Sequence, residues 1–126
     1  MDLWTLLEWI GRILFVALFV ISGIGHLVNH KGTTAYAQSK GVPLAGAAVA
    51  VTGVMLLLGA LAVLSGHNVD WGAGLLVLFL VPTAFVMHNF WNETDPMMKA
   101  NQSAHFWKNL ALAGAALLLL VAQRQG

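Results

Sequence analysis

Four runs of nearly pure hydrocarbon, separated by short polar stretches, decide what this chain can fold into. They cover residues 4–28, 43–65, 70–91 and 103–122. At ~1.5 Å of helical rise per residue, about 20 residues cross the ~30 Å hydrocarbon core of a bilayer. Charged residues make up 9% of the chain and its mean hydropathy is +0.78. A soluble domain carries roughly 25% charged residues, so a soluble fold here lacks polar surface. Inside lipid every backbone N–H and C=O must be satisfied within the protein, which helices do by themselves. The expected fold class is therefore all-α: a single domain over residues 1–126, an integral membrane antiparallel four-helix bundle with lipid as its principal neighbour.

The same composition removes several functions. A formal charge of +1 with no basic patch argues against nucleic-acid binding. The absence of cysteine removes thiol–disulfide exchange, thiolate metal sites and iron–sulfur clusters.

The first run follows an acidic start, Met1-Asp2, and is too long for a signal sequence, so it is expected to be a retained span. Glu8 and Arg12, at i and i+4, stand in the favourable order for a helical ion pair with a structural role. Gly23 and Gly25 near its far end allow close approach of a neighbouring backbone. His26 and His30, also at i and i+4, share one face of a continuous helix and have the spacing of a metal-chelating pair, but no third ligand accompanies them. No metal is therefore expected.

Residues 31–42 read as a polar loop, with Pro43 at the first helical position of the second span. That span is rich in Ala and Gly, with Gly46, Gly53 and Gly59 giving a thin helix suited to close packing. Residues 66–70 form a very short turn, which makes the second and third spans antiparallel neighbours. Pro82 lies mid-span and removes the hydrogen bond to the Leu78 carbonyl, predicting a kink with a structural role. Thr83 is the candidate to satisfy that carbonyl. Residues 92–102 form a second polar loop, with Asp95-Pro96 as a turn and Ser103 as N-cap of the fourth span. The long loops carry Lys31, Lys40, Lys99 and Lys108, and the opposite face Arg12 and Arg124, so the positive-inside rule leans the long loops toward the cytoplasm and the termini outward.

The most informative stretch runs from Met87 to Ala111. It contains two similar clusters, His88-Asn89-Phe90-Trp91 and His105-Phe106-Trp107-Lys108-Asn109, at the end of one span and the start of the next. Antiparallel packing brings His26, His88 and His105 to similar depth, with Asn89, Lys108 and Asn109 beside them. Polar residues inside a membrane bundle are candidate functional residues by default. Three readings stand: hydrogen-bonded caps that tie helix ends together, a site for a quinone or another small molecule formed by His26, His88, Asn89, His105, Lys108 and Asn109, or a metal or haem site.

These residues carry a family resemblance. Arg12-Ile13-Leu14, Gly23, His26-Leu27, Lys40-Gly41-Val42-Pro43, the run Gly53 to Gly59, His88-Asn89-Phe90-Trp91, and His105 through Ala111 to Gly114 together make the chain similar to the DoxX family of small four-span membrane proteins. The resemblance extends over nearly the whole chain, and its last motif is the most specific. Two departures stand out: His26 replaces a residue that is often basic in the family, and Ala48 to Val51 lacks an acidic residue found early in the second span. The resemblance implies a cell-membrane protein of a prokaryote associated with quinone, thiosulfate or oxidative-stress chemistry. An accessory subunit of a larger membrane respiratory or redox complex, without turnover of its own, is the leading expectation. A quinone-linked oxidoreductase component, with quinone its only expected cofactor, is the alternative. Partners under these readings are that complex or further copies of the chain.

Overall fold

A computed structural model describes residues 1–125. Its helices are α1 (Leu3–Val28), α2 (His30–Ser39), α3 (Ala45–Ser65), α4 (Val69–Met87) and α5 (Pro96–Gln125), with one 3₁₀ turn at Phe90–Asn92. Among the described residues there is no strand, and four helical segments are long and apolar enough to cross a membrane: Leu3–Val28, Ala45–Ser65, Val69–Asn92 and Pro96–Gln125. The protein is an all-α membrane bundle.

The spans pack in the order α1–α3–α4–α5, and α2 lies on α3. The outer helices α1 and α5 do not pack closely on one another. Small residues set this order, because lipid tails offer no hydrophobic drive between helices and close van der Waals contact must supply it. At the α1–α3 crossing, a Cβ on Gly53 would lie 2.9 Å from the His26 Cβ and 3.3 Å from the Gly23 carbonyl oxygen. At the α3–α4 crossing, a Cβ on Gly72 would lie 2.6 Å from the Ala62 Cβ and 2.9 Å from the Gly59 carbonyl oxygen. Thus α3 uses Gly53 toward α1 and Gly59 toward α4. Around these contacts the core gathers Val16 and Phe19 from α1, Leu56 and Val63 from α3, Leu76 and Leu80 from α4, and Ala113 from α5.

Electrostatics close the end of the bundle that holds both termini. Asp2 caps α1, its Oδ1 accepting from the Thr5 N–H at 2.8 Å, and this bond holds its carboxyl below the usual carboxylate range. Arg12 pairs with Glu8 at 2.8 Å as its spacing foretells. Its other guanidinium nitrogen donates to the Val63 carbonyl in the last turn of α3. Terminal helix carbonyls lack intrahelical partners and carry the negative end of the dipole, so Arg12 acts as a C-cap across helices. Its side chain is 10% exposed, against 58% for Glu8, so the contact to α3 is the sheltered one. Nearby, Arg124 and Asp70 lie 3.8 Å apart and tie the end of α5 to the start of α4.

Several sequence expectations need correction at the opposite end. Residues 31–42 are mostly helix, because α2 occupies His30–Ser39. It stops in a Schellman turn: the Val42 N–H reaches the Ala37 carbonyl, the Gly41 N–H reaches Gln38, and Gly41 takes φ +79°. Pro43 is not the first helical residue; α3 begins at Ala45 after Leu44 adopts a left-handed conformation at φ 49°. The helix also breaks at Asn29, so His26 and His30 belong to different helices. Finally, Ser103 is interior to α5 rather than its cap. The helix starts at Pro96, with Asp95 Oδ2 accepting from the Met98 N–H at 3.0 Å, and Pro at the first position leaves no extra donor unsatisfied. Pro82 lies inside α4, which remains helical through it, and Thr83 makes no hydrogen bond to the Leu78 carbonyl among the described residues.

The glycine contacts yield a stability test. Gly72→Ala should unfold more readily in detergent than Gly74→Ala, whose added Cβ meets nothing within 4 Å. The expected gap is about 1–3 kcal/mol, the usual cost of overpacking, since both changes gain the same helix propensity.

Candidate functional site

Where α1 and α5 stand apart, at the end carrying α2, the helices line a half-open cavity of about 420 Å³. That volume lies within the ~300–1,000 Å³ typical of small-molecule sites. One part of its wall is apolar, formed by Leu18, Phe19, Phe79, Leu80 and the ring of Pro82. The polar part comes from Ser22 and His26 on α1, Thr33 and Tyr36 on α2, Thr52 on α3, Thr83 on α4, His88 just beyond it, and Lys108 and Asn109 on α5. Among the described residues no carboxylate lines it.

The two histidines of the wall are held alike. His26 Nδ1 lies 3.1 Å from Thr52 Oγ1 and 3.3 Å from the Val49 carbonyl. The Thr52 hydroxyl donates to the Ala48 carbonyl at 2.7 Å, so both groups facing Nδ1 accept, and Nδ1 carries the proton. His88 Nδ1 lies 2.8 Å from Gln102 Oε1. The Gln102 amide is oriented by its other end, because Nε2 donates to the Tyr36 hydroxyl at 2.9 Å and the Met87 carbonyl at 3.3 Å. Its oxygen therefore faces His88, which donates from Nδ1. Neither Nε2 has a protein partner among the described residues.

Asn109 is 5% exposed, lines the cavity, and its amide makes no protein hydrogen bond among the described residues. Among the described residues Thr34 Oγ1 is the one buried side-chain polar atom without a partner, so the unpaired Asn109 amide is not sealed in the core but open to a polar ligand or water.

The remaining candidates lie around this wall. His105 is exposed and outside the cavity; its ring stacks on His88, with centroids 5.1 Å apart and planes at 25°. Its Nδ1 accepts from Lys108 Nζ at 3.2 Å. Asn89 is not in the lining either. Its Oδ1 accepts from Lys40 Nζ at 2.9 Å, and Lys40 also lies 3.7 Å from Glu93, which ties the end of α2 to the segment after α4. His30 Nε2 donates to the Gly46 carbonyl at 2.8 Å, anchoring α2 to α3. Thus His26, His88, Lys108 and Asn109 meet at one cavity, while Asn89 and His105 support its rim. Among the described residues, no group of three or more His, Asp or Glu is placed to hold a metal ion.

The aromatic members of the two clusters do mechanical work. Phe106 packs edge-on against Phe85, Phe90, Trp91 and Trp107, with centroids 5.1–5.7 Å apart, which holds the 3₁₀ turn on α5.

Gln102 and Tyr36 escape the sequence reading. The buried residues of α5 are Gln102, Phe106, Asn109, Ala113 and Ala116, a 4-3-4-3 stripe. Starting this helix at Ser103 cut Gln102 off the stripe that would have revealed it. Thr33, Tyr36 and Ala37 share one face of α2, but that face exists only once the segment is recognised as helical.

A polytopic helical membrane protein with a cavity of mixed polar and apolar lining is the class these features define. The DoxX family profile matches residues 7–89, and the chain belongs to that family. It is 32% identical over 112 residues to the inner membrane protein YphA of Escherichia coli, covering 89% of this chain and 79% of the relative. The inner membrane protein YqjF of the same organism is also 32% identical, over 113 residues, covering 89% of this chain and 80% of YqjF. No solved structure matches the chain.

The hydrogen bonds of the wall separate two substitutions. Gln102→Leu leaves the His88 N–H without its acceptor, a loss of about 1–3 kcal/mol. Asn109→Leu removes no protein hydrogen bond and should leave stability unchanged or slightly raised. Unfolding of both variants in detergent checks this, and equal losses would contradict it.

Proposed function

We propose that this DoxX protein binds a small lipid-soluble ring compound of the quinone class in the cavity between α1 and α5. The observation that carries this reading is Asn109, a residue 5% exposed that lines the cavity and whose amide makes no protein hydrogen bond among the described residues, in a wall shared with His26, His88 and Lys108. The apolar part of the wall suits a ring and the start of a tail. The polar part suits ring oxygens, and the separation of α1 from α5 suits entry from the bilayer.

No side chain in this composition cycles electrons at ordinary potentials, so any oxidation or reduction of the bound molecule draws on a carrier elsewhere. In this reading the protein is a quinone-holding component that serves a larger membrane redox complex. The accessory role rests on that chemistry rather than on exposed glycine faces, because Gly23, Gly53, Gly59 and Gly72 are occupied within the bundle. The inner-membrane names of the relatives support placement in a prokaryotic cell membrane. The lysines near α2 and the start of α5 support a cytoplasmic position for the cavity end.

Titration of the purified protein with decylubiquinol, the hydroxyl-bearing reduced form, and with decylubiquinone tests the reading, and binding of either form supports it. Saturable binding at one site per chain is expected, weakened about tenfold or more by Thr83→Phe, which fills the cavity. Binding that is absent, or indifferent to that substitution, contradicts it.

A further inference from the structure

We infer that Gln102 and Thr52 fix His88 and His26 as hydrogen-bond acceptors toward the cavity, so that the site takes a ring bearing hydroxyl groups in preference to the same ring without them. This rests on the proposed ring-binding cavity and names the form of occupant it prefers.

The argument follows donor by donor. Tyr36 and the Met87 carbonyl take both hydrogen bonds from Gln102 Nε2, at 2.9 Å and 3.3 Å. Rotating the amide would aim its oxygen at the Met87 carbonyl and its N–H₂ at His88, losing a contact between donor and acceptor on the first side. Gln102 Oε1, 2.8 Å from His88 Nδ1, is therefore the acceptor, and the neutral ring keeps its single proton on Nδ1. On the facing wall, Thr52 donates to Ala48, and with the Val49 carbonyl it leaves His26 Nδ1 only acceptors to meet. Each neutral imidazole then has a lone pair on Nε2. His26 and His88 both line the cavity, and among the described residues neither Nε2 has a protein donor and no carboxylate joins the lining, so O–H groups of an occupant satisfy these lone pairs. Asn109 and Lys108 supply donors to the oxygens of those same hydroxyls. An ether or unsubstituted ring leaves both nitrogens unpaired, and a site built around a hydroxyl rejects the analogue that lacks it.

In this arrangement Gln102 is a positioning residue acting through His88. Removing its side-chain oxygen, as Gln102→Leu does, frees the His88 tautomer.

The test uses the purified protein and two redox-inert probes, pentamethylphenol and its methyl ether, with decylubiquinol as a check on the cavity. Calorimetric titration should show the phenol binding about tenfold or more tighter than the ether. Gln102→Leu should reduce that preference several-fold. Nitrogen-15 spectra of labelled histidine should place the His88 proton on Nδ1 in the wild type and distribute it over both nitrogens in Gln102→Leu. If phenol and ether bind equally well, the ring site stands and the acceptor role of the histidines falls. If neither probe nor decylubiquinol binds, the ring-binding reading falls and this inference with it. A His88 proton on Nε2 in the wild type overturns the inference whatever the affinities.

Discussion

The close approach of α3 to both its neighbours is the contact on which the rest of the structure depends. Gly53 opens α3 toward α1 and Gly59 opens it toward α4, and the facing Gly23 and Gly72 let backbone meet backbone. With α3 held between α1 and α4, and α5 carried on α4, the two outer helices are left apart. The gap between them is not a packing fault. Phe19 and Leu80 are buried at its inner wall and continue the core, while the polar residues gather at the α2 end.

The polar end is organised by a different rule. A donor or acceptor removed from water needs a partner, and here nearly every one is drawn from another element. His30 holds α2 to α3, Lys40 holds α2 to the segment after α4, and Gln102 joins α5 to Tyr36 and His88. These ties make α2 a cover across one end of the bundle rather than a free loop. Among the described residues Thr34 Oγ1 is buried without a partner, whereas the amide of Asn109 and the Nε2 atoms of His26 and His88 are unpaired but not sealed off, and have room for a guest. At the other end, Arg12 performs a mechanical task by capping α3.

How much of this was legible in the sequence differs by scale. The four spans were, because hydrocarbon runs of spanning length admit few alternatives, and the antiparallel order followed from the short connections. The placement of His26, His88, Lys108 and Asn109 at one depth was also readable, since each lies a countable distance from a span end. The helix α2 was not, because its sequence is polar and Gly32 interrupts it, and the helix-stop signal Lys40-Gly41-Val42 reads equally well as part of a polar loop. Ser103 was given a cap that Asp95 supplies, and with those lost turns went Gln102. Asn89 looked like its neighbour His88 in sequence, yet one residue of rotation past the end of α4 turns it toward Lys40. Such separations depend on tertiary partners, which local pattern does not record.

The central claim is that the space between α1 and α5 is a binding site, and native mass spectrometry of the protein released from membrane micelles tests it most directly. The account predicts a chain carrying one small lipid-soluble ring compound, and a bare chain when Ala48, which lines the cavity, is replaced by Phe. A wild-type chain free of any such molecule, or one whose bound molecule survives that replacement, would contradict it.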